Sequence, residues 1–228
     1  MSAVLQWPAA WASAVEEYMF SPQRWVQPAT LSLWCGPEQV EAGRWSRQTR
    51  PADLWDPQPQ DWSPSSIRHM VDRLCPLGSV DLDLLWGSWR NRLALLSRAE
   101  WMQLGLCLAV LPFSGHLQRS MDGHLRRALR QGLDERVVQA LDAESSARQL
   151  LRFLGGPGAW RNPQALACGG ARAAIEQVCR WPDPIRRRSL LRFGPEDLST
   201  PPSVSGLDAH WLELSCRLMW PEHPWLWC

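Results

Sequence analysis

Apolar residues recur at helical spacing along most of the chain, and the longest apolar run covers residues 101–111. This run is apolar on nearly every side, which predicts a helix that other helices cover. Ser97 and Glu100 precede it at the spacing of a capping box, in which each side chain accepts a hydrogen bond from the other residue's amide. Pro112 ends the run, which is far shorter than the roughly 20 residues of a membrane-spanning helix.

An amphipathic segment follows this core helix. Its apolar side carries Leu117, Met121, Leu125, Ala128 and Leu129. Three arginines, Arg119, Arg126 and Arg130, fall within about 40° of one another on the opposite side of a helix. The pattern therefore predicts a helix that packs through one face and presents a cationic face.

Turn and cap residues predict where the neighbouring helices begin and end. Gly132 predicts a left-handed residue at the end of the amphipathic helix, and Asp134 predicts the cap of the next one. The apolar stripe of that next helix slips out of phase before Leu150. Ser146 with Gln149 predicts a second capping box at the slip, so we expect a kink or two short helices there.

Further helices are predicted on both sides of this central block. They cover residues 9–20, 67–74, 82–96, about 162–180 and 207–218. Gly169 and Gly170 stand among alanines, so a neighbouring helix can approach closely there. A short Arg-rich element is expected over 182–193 and a Pro/Ser-rich linker over 194–206. Strand-like stretches such as 189–193 are too isolated to build a sheet-based fold.

Residues 21–64 differ from the rest, because they hold seven prolines and little periodicity. Five tryptophans in the same stretch indicate an arm that is laid against a surface. We predict a mostly α protein, a single irregular multi-helix domain with few or no strands. Residues 1–64 would form an N-terminal helix and a Pro/Trp-rich arm packed on the body, and residues 65–228 the helical body with a C-terminal tail.

The charge of the chain is nearly balanced. Its 24 basic residues, all of them arginine, stand against 23 acidic residues and give a formal net charge of +1. Such a balance produces no broad cationic field, so we expect no nucleic acid as a partner. The absence of lysine excludes the P-loop lysine, Schiff-base chemistry and the ATP-binding lysine of protein kinases.

Cysteine and histidine form no catalytic or metal-binding pattern. The seven cysteines contain no C-x-x-C pair and are odd in number, which is typical of reduced core residues in a cytoplasmic protein. The five histidines show neither H-E-x-x-H nor zinc-ligand spacing, and the chain lacks G-x-S-x-G. We therefore expect no catalytic residue, no cofactor and no metal.

Candidate contacts with a protein partner come from charge and from tryptophan. The arginines of the amphipathic helix share one face, which suits a docking surface. Residues 186–188 form the densest charge run; such runs are most often solvated faces, yet they also contact partners. Tryptophan is enriched where proteins dock, and the tail is rich in it. The candidates are Arg119, Arg126, Arg130, Arg186, Arg187, Trp225 and Trp227.

The central block carries a resemblance to a known family. It consists of LGLCL at 104–108, GHLQRS at 115–120, Leu129 and the pair Val137 and Val138. These residues are similar to the central block of SctK proteins, also called YscK or PscK, which belong to the bacterial type III secretion apparatus. A looser similarity covers the Pro/Trp-bearing N-terminal third, the segment at 157–161, and the basic element with the Pro-rich linker and the final helix that follow it.

The resemblance implies a mostly α-helical, non-catalytic adaptor of the cytoplasmic sorting platform, needed for protein secretion. Such an adaptor would link the cytosolic domain of the inner-membrane ring protein, SctD, to the pod protein, SctQ. It would lie at the cytosolic face of the inner membrane when assembled, without inserting into the membrane. Two alternatives stay open: a small helical Cys/His hydrolase, and a secretion chaperone, although such chaperones are usually smaller and acidic.

Overall fold

The computed structural model describes residues 9–21, 24, 26, 68, 71, 77, 80–115, 123–144, 146–155, 159–194, 197, 199–222, 226 and 227. These residues are mostly α-helical, and one antiparallel pair of short strands is the sheet found among them. The predicted fold class, mostly α with few strands, is confirmed. Most of the predicted arm at 21–64 lies outside the described residues, so the division at residue 64 stays a prediction.

Ten α-helices and two strands are described in chain order. They are α1 (Ala9–Phe20), α2 (Leu82–Trp86), α3 (Trp89–Arg92), α4 (Arg98–Val110), α5 (Gly123–Gly132), α6 (Glu135–Ala143), α7 (Ala147–Leu150), β1 (Arg152–Phe153), α8 (Pro163–Ala173), α9 (Asp183–Leu190), β2 (Val204–Ser205) and α10 (Ala209–Met219). Short 3₁₀ turns stand at Leu93–Leu95, Leu111–Phe113 and Ala159–Arg161, and a π-helical turn, Ala174–Cys179, extends α8.

The backbone contacts group the chain into two compact units. The first unit comprises Met1–Leu95 with Pro182–Glu196, and the second comprises Leu96–Trp181 with Asp197–Cys228. Each unit is therefore built from two separate stretches of sequence. The Arg-rich element that includes α9 belongs with the N-terminal stretch, which the sequence pattern did not reveal.

In the first unit, a buried arginine joins α9 to α1. Arg188 is 7% exposed, and its Nη1 donates hydrogen bonds of 3.2 Å to the carbonyl oxygens of Tyr18 and Met19. The Tyr18 hydroxyl donates in return to the carbonyl oxygen of Ile185 at 3.2 Å. Since the last carbonyls of a helix have no partner within it, Arg188 satisfies the C-terminal end of α1.

The second unit is organised around α4. Its capping box forms as predicted: the Ser97 hydroxyl accepts a hydrogen bond from the Glu100 amide at 3.2 Å, and Glu100 accepts one from the Ser97 amide at 2.6 Å. Residues 104–110 are all buried, which confirms a core helix. Helices α5, α8 and α10 contact α4, and the 3₁₀ turn that contains Pro112 follows it.

Two glycines set the distance between α4 and α8. A Cβ atom at Gly105 would lie 1.9 Å from the carbonyl oxygen of Ala167, and a Cβ atom at Gly170 would lie 1.9 Å from the carbonyl oxygen of Gly105. Real Cβ contacts are never this short, so the two backbones touch directly. The close approach predicted at Gly170 is confirmed, while Gly169 faces a loop, with its Cβ position 2.8 Å from the carbonyl oxygen of Pro201.

Some predicted boundaries are wrong. The helix expected at 82–96 is divided into α2, α3 and a 3₁₀ turn, because Ser88 starts a new helix by accepting a hydrogen bond from the Arg90 amide at 3.3 Å. The stretch 189–193 is the end of α9 and a turn, and it contains no strand. By contrast, Asp134 and Asn162 cap α6 and α8 as predicted.

The region around the second predicted capping box also differs. Gly132 has no positive φ; a Cβ there would lie 2.9 Å from Leu106 Cδ2, so this glycine lets α5 pack closely on α4. The Ser146 hydroxyl donates to the Glu144 carboxylate and does not cap α7. Helix α7 ends at Leu150, and β1 then pairs with β2, a strand inside the expected linker.

Candidate functional site

Helix α5 presents an arginine face to solvent. Arg126, Arg127 and Arg130 are exposed, while Leu129 is 2% exposed and lies on the packed side. The helix contacts α4 and the 3₁₀ turn Ala159–Arg161. We call Arg126, Arg127 and Arg130 the α5 arginine face; it contains two of the three arginines predicted for this surface, and Arg119 lies outside the described residues.

The local electrostatics of α5 suit an acidic partner. The helix contains three arginines and no acidic residue. Arg126 and Arg130 stand four residues apart, and like charges at this spacing disfavour a helix by about 0.2–0.5 kcal/mol. Exposed arginines on one helix attract carboxylates of a docking protein, so the arrangement favours binding of a negatively charged surface.

A second cationic site lies on α9, in the first unit. Arg186 and Arg187 are exposed, as expected for candidate contacts, but Arg188 of the same run is buried. The nearest atoms of Arg187 and Asp183 lie 3.5 Å apart. Since both side chains are largely exposed, this ion pair contributes little to stability and leaves the surface cationic.

The C-terminal tail is held by contacts within the second unit. The Trp227 indole nitrogen donates to the carbonyl oxygen of Trp220 at 2.9 Å, and the Arg217 guanidinium carbon lies 4.3 Å from a ring centroid of Trp227. Trp227 is half-buried, so only part of its ring can meet a partner. Trp225, the other tryptophan predicted as a contact, lies outside the described residues.

The described cysteines are reduced and buried. They are Cys107, Cys168, Cys179 and Cys216. Burial raises the pKa of the Cys107 thiol to about 12, and burial with the neighbouring thiols of Cys179 and Cys107 raises the pKa of Cys216 well above its usual value. A nucleophilic cysteine needs the thiolate form, which these environments disfavour.

One polar cluster in the second unit joins residues far apart in sequence. The Asp197 carboxylate accepts two hydrogen bonds from Arg98 Nη2, the shorter one 2.8 Å, and another from Arg98 Nε at 3.2 Å. The Cys168 thiol donates to Asp197 Oδ1 at 3.0 Å. Burial, and then this hydrogen bond, raise the pKa of Cys168 to about 12. No sequence motif links these three residues, so the cluster could not be predicted from the sequence.

The described residues contain no group of three or more histidine, cysteine or acidic side chains able to hold a metal ion. Within the same residues, no helix has the length and apolar character that a bilayer crossing requires. No protein-family model, no curated protein and no solved structure matches the chain. The similarity to SctK proteins therefore depends on the residues quoted from the sequence.

Proposed function

We propose that this protein is a non-catalytic adaptor of the type III secretion sorting platform, and that it links the cytosolic domain of SctD to SctQ. The observation that carries this proposal is the α5 arginine face. It is a cationic surface on a helix that Leu129 anchors in the core. The helix lies within the block that resembles SctK, and it contains Leu129, one of the matching residues.

A rigid helix face suits an adaptor for an energetic reason. Binding has an entropic cost for every side chain and loop that becomes ordered, and this cost is smaller when the backbone is already fixed. Helix α5 is fixed by its packing on α4 and by the close fit of Gly132 on Leu106. The arginines then provide attraction over a distance and select a partner of opposite charge.

The buried thiols support an adaptor over the hydrolase alternative. Cys107 and Cys168 are buried and have raised pKa values, whereas an activated cysteine has a lowered pKa and is accessible. The charge of the chain, close to zero, also differs from that of the usual acidic secretion chaperones. Neither alternative gains a specific observation.

Co-purification tests the adaptor role directly. The full chain is produced with the cytosolic domain of SctD, with SctQ, and with both, from the same bacterium. We expect a complex with each partner and a ternary complex when both are present. Failure to bind either folded partner would overturn the proposal.

Charge reversal on α5 tests the surface. The variant with Arg126→Glu and Arg130→Glu should bind its partner at least about tenfold more weakly, because like charges now meet across the interface. Helix content by circular dichroism should stay unchanged, since both side chains are exposed. Isothermal titration calorimetry against each partner gives the affinities.

The matched control is Arg136→Glu, an exposed arginine on α6 outside the α5 arginine face. It should leave both affinities unchanged. Equal losses in the control and in the double variant would indicate a general charge effect. Binding that the double variant retains in full would exclude α5 as the contact and would direct the search to Arg186 and Arg187 on α9.

A further inference from the structure

Exposed leucines gather at two places in the described residues, and each place carries charge of a different sign. Leu82 and Leu84 are 48% and 38% exposed, and Leu150 and Leu154 are 64% and 55% exposed. These are four of the five large apolar side chains found exposed in the described part of the chain. Large apolar side chains gathered beside charges are typical of docking surfaces.

The first place, which we call the acidic patch, is the start of α2 and consists of residues 81–84. Asp81 and Asp83 are exposed, and the two leucines lie about 200° apart around the helix, one on each side of Asp83. The patch is held in place because Leu85 is 1% exposed in the core and the Asp81 carboxylate accepts a hydrogen bond from the Asp83 amide at 3.0 Å. Asn91 also donates to the carbonyl oxygen of Leu84 at 2.7 Å.

The second place, which we call the basic patch, consists of Leu150, Arg152 and Leu154. All three are exposed, while Leu151 between them is 4% exposed. Alternate residues of an extended segment point to opposite sides, which places Arg152 with Leu154, and Leu150 ends α7 directly before this segment. The segment is fixed by the pairing of β1 with β2 and by a 2.9 Å hydrogen bond from the Leu154 amide to the carbonyl oxygen of Ser203.

The two patches complement each other in charge and in apolar character. Two leucines beside two carboxylates match two leucines beside a guanidinium, and an exposed ion pair becomes stronger when apolar contacts remove water around it. The chain thus carries, in its own sequence, both sides of an interface. We infer that the acidic patch of one copy docks on the basic patch of a second copy.

This contact joins different surfaces on the two copies, so two copies related by a twofold axis can form it twice, and further copies can add head to tail. The patches are small, and interfaces well below about 1,200 Å² belong to weak, transient associations. We therefore expect reversible self-association that grows with protein concentration and weakens with salt. The inference does not depend on the adaptor role, because it needs no other protein.

Sedimentation velocity from roughly 1 µM to 1 mM of the full chain tests the inference, because weak interfaces fall in this range. The weight-average mass of the wild type should rise with concentration. Asp83→Arg and Arg152→Glu should each abolish most of this rise, since each replaces a contact between opposite charges by one between like charges. Leu154→Ser should weaken association with a smaller change in its salt dependence.

Mixing the two charge variants gives the sharpest result. In an equimolar mixture, the arginine at position 83 of one variant meets the glutamate at position 152 of the other, and the unchanged patches also match. Association should therefore return in the mixture although each variant alone stays monomeric. Arg136→Glu on α6 is the control and should associate like the wild type.

Three results would overturn the inference: a wild-type mass that is independent of concentration, a mixture that stays monomeric, or single variants that associate like the wild type. Association that disappears only in Arg126→Glu would also overturn it, because the α5 arginine face would then be the contact. Circular dichroism of every variant verifies that the helices remain formed.

Discussion

At the scale of single residues, burial decides what each charged side chain does. Arg186, Arg187 and Arg188 are consecutive, yet only Arg188 is buried, where it binds the carbonyl oxygens at the end of α1. The sequence pattern predicts that the whole run is exposed, as a solvated face or as a contact with a partner. Helical spacing contained the missing signal, because Arg188 stands three residues after the buried Ile185 and shares its face.

The described thiols should react slowly with alkylating reagents. A pKa raised from 9.0 to about 12 leaves Cys168 with roughly a thousandth of the thiolate that an ordinary thiol has near pH 8. We expect native labelling by iodoacetamide at this residue, followed by peptide mass spectrometry, to be slower than that of glutathione by a factor of this order. Fast labelling of Cys168 would favour the hydrolase alternative; labelling in urea serves as the control.

At the scale of elements, caps and apolar periodicity were predictable, and contacts between distant segments were not. Helix α1 has the expected bounds, and the capping box of α4 forms between Ser97 and Glu100. Strand β1 was missed because its two residues become a strand only through pairing with β2, some 50 residues later. Of the candidate contacts, α5 arginines are exposed as predicted, but no pattern showed that Trp227 packs on Arg217.

The helix pair of α4 and α8 should not tolerate a methyl group at Gly105. Gly105→Ala would place Cβ 1.9 Å from the Ala167 carbonyl oxygen, so the backbones must separate and lose packing. We expect the free energy of unfolding to fall by about 3 kcal/mol or more, measured by urea denaturation. Gly123→Ala is the matched control, because no atom lies within 4 Å of its Cβ position; it should be neutral or stabilising by less than about 1 kcal/mol. Equal effects of the two substitutions would contradict the close helix contact.

At the scale of the whole molecule, each unit contains a buried side chain whose pKa is raised, so that it keeps its proton to a higher pH than an exposed side chain does. Burial raises the pKa of Tyr18, in the first unit, from 10.0 to about 12, and that of Cys107, in the second, from 9.0 to about 12. An unfolded chain releases these protons at lower pH than the folded chain does. The division into units from separate stretches was not predictable, because it depends on contacts such as that between Tyr18 and Arg188.

The free energy of unfolding should therefore decrease at alkaline pH. These groups stabilise the folded state fully below pH 9, and the free energy of unfolding falls between about pH 9 and 12, where the unfolded state binds fewer protons. Urea denaturation across this range measures the slope. In the Cys107→Ala variant, the free energy of unfolding should fall less steeply with pH, by the equivalent of one proton per molecule. This holds whatever the effect of the substitution at pH 7. An unchanged slope would show that Cys107 ionises as readily in the folded protein as in the unfolded chain.

The separate stretches of the first unit also fix an order of events during synthesis. Arg188 follows Tyr18 by 170 residues. A ribosome that adds about 5–20 residues per second needs roughly 10–35 s to cover that interval. During that interval the carbonyl groups at the end of α1 lack the hydrogen bonds from Arg188, while residues 96–181 of the second unit are synthesised. Helix α1 thus acquires its contact with Arg188 late in synthesis, and a nascent-chain chaperone has that interval in which to bind the end of the helix.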